Sequence, residues 1–203
     1  MIFIRYEKWK SYLRYYPVTC VLILANVLMF IVLTLNGGST DLQTLVDYGA
    51  TVSSGPEKGE LWRYGAAMFL HNGFAHLFFN CFALLVFAPP LERLMGWWRY
   101  LLLYLAGGFV ANLLGVAVSE SGVVSVGASG AIYAIYGAFL YIAVLQRTMM
   151  DENSRKTLYG LLVMGIIMSF ATPNINYMAH IGGLIAGFFI YGLIIRIFKR
   201  NRR

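Results

Sequence analysis

Charge is absent from five long stretches of this chain: residues 15–40, 64–91, 100–119, 121–146 and 157–195. A helix crossing a bilayer needs about 20 predominantly apolar residues, and each of these runs reaches that length. The last run holds 39 residues, too many for one crossing. It is interrupted at Ala171-Thr172-Pro173-Asn174-Ile175-Asn176, where a proline and two asparagines signal a tight turn. The pattern predicts an all-α, polytopic membrane bundle of six transmembrane helices, at about 17–35, 73–91, 97–118, 129–146, 157–170 and 177–198. Pro89-Pro90 is expected to end the second. With 59% hydrophobic and only 12% charged residues, a soluble domain of this size could hardly hide so much apolar surface.

The basic residues orient the bundle. Of the 16 Lys and Arg, all except Lys58 and Arg63 fall on the side that six spans give to both termini. That side is expected to be cytoplasmic, and the bias accounts for most of the net charge of +7. The basic tail reads as membrane anchoring, so no nucleic-acid partner is expected. One domain is expected: a short cytoplasmic lead over 1–16, a membrane domain over 17–198 and a basic tail over 199–203. The first apolar run is long and lacks a small-x-small cleavage site, so it reads as a helix and not a signal peptide. The connection 36–64 carries Leu42, Leu45, Val46, Leu61 and Trp62 among its charges, which predicts partial embedding. Cys20 and Cys81 form no metal-spaced motif, and no disulfide is read from two isolated thiols.

On this topology the second, fourth and sixth helices all start at the outer face. His76 and Asn80 fall near the start of the second, Ser129 at the start of the fourth and His180 near the start of the sixth. Polar side chains are expensive at that depth, so each needs a partner or a task. His76 and Asn80 are four residues apart and share a helix face. Ser129 opens its helix between Gly127 and Gly130, where backbone N–H groups are unspent and negative charge is favoured. Tyr133 lies one turn further on the same face. Gly183 and Gly187 form a small-residue stripe beyond His180 that allows close helix approach. A serine hydroxyl becomes a nucleophile when a base takes its proton, and a neutral histidine can do so near pH 7. No acidic residue lies in the last three expected helices to orient that histidine, so the candidate is a Ser129–His180 dyad with Tyr133 positioning the ring. His76, Asn80 and the Ser129 backbone suit a developing oxyanion.

Taken singly, each of these residues has a plainer reading. A transmembrane serine often bonds its own backbone, glycine pairs pack helices, Asn80 can be interhelical glue, and His71 can sit at the interface or support the site. Trp62-Arg63 reads as an interfacial anchor. Three histidines raise a metal site, but no HExxH or carboxylate-assisted spacing appears, so no metal and no other cofactor are expected.

At these residues the chain resembles the rhomboid intramembrane serine proteases in their six-helix bacterial form. The motifs that carry the likeness are Trp62-Arg63, the histidine-x-x-x-asparagine of His76 and Asn80 preceded by His71, Gly127-Ala128-Ser129-Gly130 with Tyr133, and His180 with Gly183 and Gly187. The resemblance implies Ser129 as nucleophile and His180 as general base and then acid. It implies His76, Asn80 and the Ser129 backbone as the oxyanion site, with Gly127, Gly130, Tyr133, Gly183, Gly187 and His71 supporting it. Substrates would be other transmembrane proteins, cut in or near their membrane helices, with the fifth helix and its following turn as a gate. The partners implied are such substrates and the lipid bilayer; the oligomeric state stays open. Two competing readings are a catalytically inactive relative that binds membrane clients, against which the intact Ser129 and His180 count, and a small transporter. A transporter would need polar residues continuing to the cytoplasmic side, where the helices instead turn mostly apolar.

Overall fold

Pro17 has no amide hydrogen, so it starts a helix without leaving a donor unmet there. In the computed structural model of the chain, which describes residue 3 and residues 7–171 and 175–200 (199 and 200 by backbone alone), Pro17 is the first residue of α2 (Pro17–Leu35). The helix lacks a capping side chain of its own. Its open N–H groups are met by Glu92, a buried carboxylate 73 residues away, which accepts from Thr19 N and Val18 N at 2.9 Å and from Thr19 Oγ1 at 2.6 Å. A helix N-terminus favours an anion, so this contact joins α2 to the helix that carries Glu92.

Preceding it is α1 (Trp9–Tyr15), and the later elements are α3 (Leu42–Asp47), β1 (Thr51–Val52), α4 (Leu61–Ala66), α5 (Phe74–Met95), α6 (Trp97–Val118), β2 (Val124–Ser125), α7 (Ser129–Leu145), α8 (Glu152–Ala171) and α9 (Tyr177–Arg200). Among the described residues, four helices are long and apolar enough to cross a membrane: α2, α5, α6 and α9 as far as Phe198. α7 is apolar but has 17 residues, and α8 opens on a charged turn with Glu152, Arg155 and Lys156. Beyond those four crossings, the expected count of six therefore depends on α7 and α8.

The sequence reading needs correction at three places. First, Pro89-Pro90 does not end the second long helix, which continues to Met95. Pro89 cannot donate to the Leu85 carbonyl one turn back. Tyr12 of α1 supplies the missing donor, its hydroxyl lying 3.0 Å from Leu85 O, and the helix persists. It stops instead at Gly96, whose φ of 80° lies in the left-handed region. Second, α8 begins five residues before the expected 157, because Asp151 accepts from Ser154 N at 3.0 Å and Ser154 Oγ at 2.6 Å and so caps the first turn. The Ser154 hydroxyl, with the Ser154 amide behind it, holds the exposed Asp151 carboxyl down at about 2. Third, the molecule is not wholly helical: Thr51 pairs with Ser125 and Val52 with Val124 in a two-stranded antiparallel ribbon. Of the expected turn over 171–176, residues 172–174 lie outside the described residues.

The connection 36–64 is structured. Asp41 caps α3 by accepting from Thr44 N at 2.7 Å, which lowers its carboxyl below the ordinary range. Leu45 is buried with Leu33, Ala50 and Leu70, whereas Leu42, Leu61 and Trp62 are exposed. α7 is the central helix, with every residue from Gly130 to Phe139 buried. A helix surrounded by protein needs small residues where its neighbours cross, and α7 supplies Gly130, Ala131, Ala134, Gly137 and Ala138.

Candidate active site

The approach of α7 and α9 is set by glycine. A Cβ on Gly183 would run into the Gly130 carbonyl, one on Gly187 into the Ala134 carbonyl, and one on Gly137 into the Leu184 carbonyl. At all three places the obstacle is backbone, which a rotamer change cannot move. The two helices therefore pack main chain against main chain, and short polar side chains at their starts can touch.

They do so through Ser129 and His180. Ser129 Oγ lies 2.8 Å from His180 Nε2 although 51 residues separate them in sequence. Ser129 is half-buried as the first residue of α7, and His180 is buried in the first turns of α9. The Tyr133 ring stacks on the imidazole with centroids 4.3 Å apart and planes 11° from parallel. No side chain caps α7, so its first-turn N–H groups remain directed at the space around Ser129.

Gly127 adopts φ 124°, a conformation that L side chains rarely accept, and its N–H donates to Ala67 O at 2.8 Å. A Cβ there would come within 2.7 Å of the His76 ring and 3.7 Å of Ser129 Oγ. Glycine thus lets the imidazole of α5 lie against the loop that delivers Ser129. Asn80 is buried one turn below His76 and donates from Nδ2 to His76 O at 2.8 Å. One N–H of that amide remains to be used. His71 is fully buried, and its ring packs edge-on against His76 with centroids 5.2 Å apart. It touches the site through His76.

Trp62 and Arg63 lie elsewhere. Glu60 accepts from Trp62 Nε1 at 3.0 Å and from Arg63 Nε at 2.7 Å, and Arg63 Nη1 reaches the Val46 and Ala50 carbonyls. Arg63 is buried, and these bonds tie α4 to the end of α3. Among the described residues no hydrogen bond joins either side chain to Ser129 or His180, and no three His, Cys, Asp or Glu side chains are grouped as a metal site.

Three residues at or beside the site escaped the sequence reading. Ser169 of α8 places Oγ 2.6 Å from His180 Nδ1 and 3.1 Å from the Tyr133 hydroxyl. Asn176 fixes the start of α9: its side-chain oxygen accepts from Ala179 N at 3.1 Å, and its Nδ2 donates to Ser119 Oγ at 3.1 Å and Ser125 Oγ at 3.0 Å. Asn112 of α6 donates to Tyr64 O at 2.9 Å, holding α4 against the bundle. Helix pattern offers no signal for Ser169, and Asn176 looked like an ordinary turn residue.

Comparison with known proteins identifies the family. The family model of the rhomboid domain matches residues 58–197. The putative rhomboid protease YdcA of Bacillus subtilis (strain 168) is 34% identical over 204 residues, covering 100% of both chains. Rhomboid protease GluP of the same organism is 40% identical over 171 residues, which is 84% of this chain and 33% of GluP. RHOMBOID-like protein 5 of Arabidopsis thaliana is 33% identical over 159 residues, 76% of this chain and 51% of that protein. The chain thus spans the whole of one relative and a third to a half of the other two. With Ser129 meeting His180 where α7 and α9 start and the family model covering most of the sequence, the chain belongs to the rhomboid family of intramembrane serine proteases.

Proposed function

We propose that this protein hydrolyses peptide bonds of other transmembrane proteins, in or near their membrane helices, through Ser129 and His180. The observation that carries the reading is the 2.8 Å contact between Ser129 Oγ and His180 Nε2 beneath the start of α7. His180 Nε2 takes the hydroxyl proton as Oγ attacks the scissile carbonyl carbon, and the carbonyl electrons move to oxygen. That oxyanion is met by the first-turn N–H of Ser129, the His76 ring and the remaining Asn80 N–H, donors of the kind that stabilise such charge. When the tetrahedral intermediate collapses, the C–N bond breaks and His180 returns the proton to the leaving amine. Water then attacks the acyl-Ser129 ester by the same route in reverse. Water must therefore reach Ser129, and its half-buried setting is consistent with that.

The remaining parts of the reading concern the membrane. Six helices cross it, the termini and their basic residues lie on the cytoplasmic side of a bacterial plasma membrane, and residues 17–198 form one domain. The purified full chain, given a transmembrane substrate in detergent, is expected to cleave it, and Ser129→Ala is expected to abolish cleavage. A fluorophosphonate should label Ser129. Undiminished cleavage by the Ala variant, or labelling at a different serine, would overturn the assignment.

A further inference from the structure

We infer that Ser169 is a positioning residue that fixes which nitrogen of His180 carries the proton, an assignment that rests on the dyad reading above. Ser169 Oγ has three neighbours: Gly165 O at 2.7 Å, His180 Nδ1 at 2.6 Å and the Tyr133 hydroxyl at 3.1 Å. A carbonyl oxygen only accepts, so the single hydroxyl proton of Ser169 goes to Gly165. Its lone pairs then accept, from Nδ1–H of His180 and from the Tyr133 O–H. With the ring proton held on Nδ1, Nε2 is left as the bare nitrogen facing Ser129 Oγ. That is the tautomer a general base requires.

Two further observations support the assignment. Tyr133 reaches Ser169 because residue 165 is glycine; a Cβ there would come within 2.7 Å of the Tyr133 hydroxyl. The same ring that stacks on His180 is thus hydrogen-bonded to the group that orients His180. In addition, α8 buries only Ser154, Leu158, Leu162 and Ser169, so its polar contribution at this end is that one hydroxyl. Charge explains why a hydroxyl suffices. A buried carboxylate at membrane depth carries a heavy desolvation cost, whereas a serine whose proton is taken by the helix backbone is a neutral acceptor. The orientation is kept, and the added stabilisation that a carboxylate would give to imidazolium is forgone.

The test compares Ser169→Thr, which keeps a hydroxyl able to bond the carbonyl four residues back, with Ser169→Val, which matches its shape without the hydroxyl; Ser169→Ala and Ser129→Ala accompany them. Each full-length variant is measured for kcat and KM on a transmembrane substrate and for the rate of fluorophosphonate labelling, which needs no substrate docking. The Thr variant should stay within about threefold of the parent. Val and Ala should lose about tenfold in kcat and in labelling rate, as expected for one hydrogen bond to the base, with KM unchanged within twofold. Equal activity in Thr and Val, or equal loss in both, would overturn the role; so would a Val variant that fails to fold while Thr folds, since the hydroxyl would then be structural. Cleavage that survives Ser129→Ala would instead remove the dyad reading beneath it.

Discussion

At the residue scale, the site combines what motif and spacing reveal with what only three dimensions supply. Ser129 and His180 could be paired from the sequence because the count of apolar runs returns both to one end of the bundle. Tyr133 could be placed because four residues is one turn. Ser169 could not, since a lone serine near the end of an apolar helix ordinarily bonds its own backbone, and this one does so as well, to Gly165. Its second role depends on α8 lying beside α9, which no local pattern encodes. Asn80 presents the converse case: the motif marks it, and its amide donates to His76 O with one N–H unspent among the described residues. If that N–H serves the oxyanion, Asn80→Ala should lower kcat by about a hundredfold while KM stays within about threefold. Steady-state kinetics on one transmembrane substrate decides the matter, and a loss confined to KM would assign Asn80 to substrate capture instead.

Among the elements, the long helices were legible because charge delimits them, and their ends were misread where a distant residue intervenes. Pro89 stops a helix only when the freed carbonyl has no donor, and Tyr12 provides one from 73 residues upstream. The ribbon of β1 and β2 is two residues per strand, too short for any alternation to register. The α7–α9 contact, by contrast, was visible as the Gly183 and Gly187 stripe, and it carries a sharp expectation. Gly183→Ala drives a methyl into the Gly130 carbonyl, so the helices must part, at about 1–3 kcal/mol for overpacking. The widening falls between Ser129 and His180, and cleavage should drop more than tenfold. Gly160→Ala in α8 meets no atom within 4 Å and should leave activity intact while stabilising the helix by about 0.5–1 kcal/mol. Thermal melting and cleavage assays of the two variants side by side check this; equal behaviour would detach the glycine stripe from the site. If α8 moves to admit substrate, Ser169 moves with it, and opening and alignment of the base would then be coupled.

For the whole molecule, the open quantity is how the helices cross the bilayer, and α7 gives the argument its force. Seventeen residues of helix span about 25 Å, less than the roughly 30 Å of hydrocarbon. A helix wrapped by protein can tolerate that shortfall, and if it falls at the Ser129 end, that residue starts below the lipid surface in a recess that water must enter. If only α2, α5, α6 and α9 crossed, the stretch joining α7 to α8 would lie on the same face as that recess. If α7 and α8 cross as well, the stretch lies on the opposite face, with both termini. Parity of the termini is equal in the two cases, so tagging the ends cannot separate them. Thr148, exposed between α7 and α8, can. In a chain with Cys20 and Cys81 replaced by serine, Thr148→Cys should resist a membrane-impermeant maleimide in intact spheroplasts and react in inverted vesicles. Lys58→Cys, exposed in the connection between β1 and α4, should show the reverse. Labelling of both positions from the outside would reduce the crossings to four and remove the depth argument for Ser129.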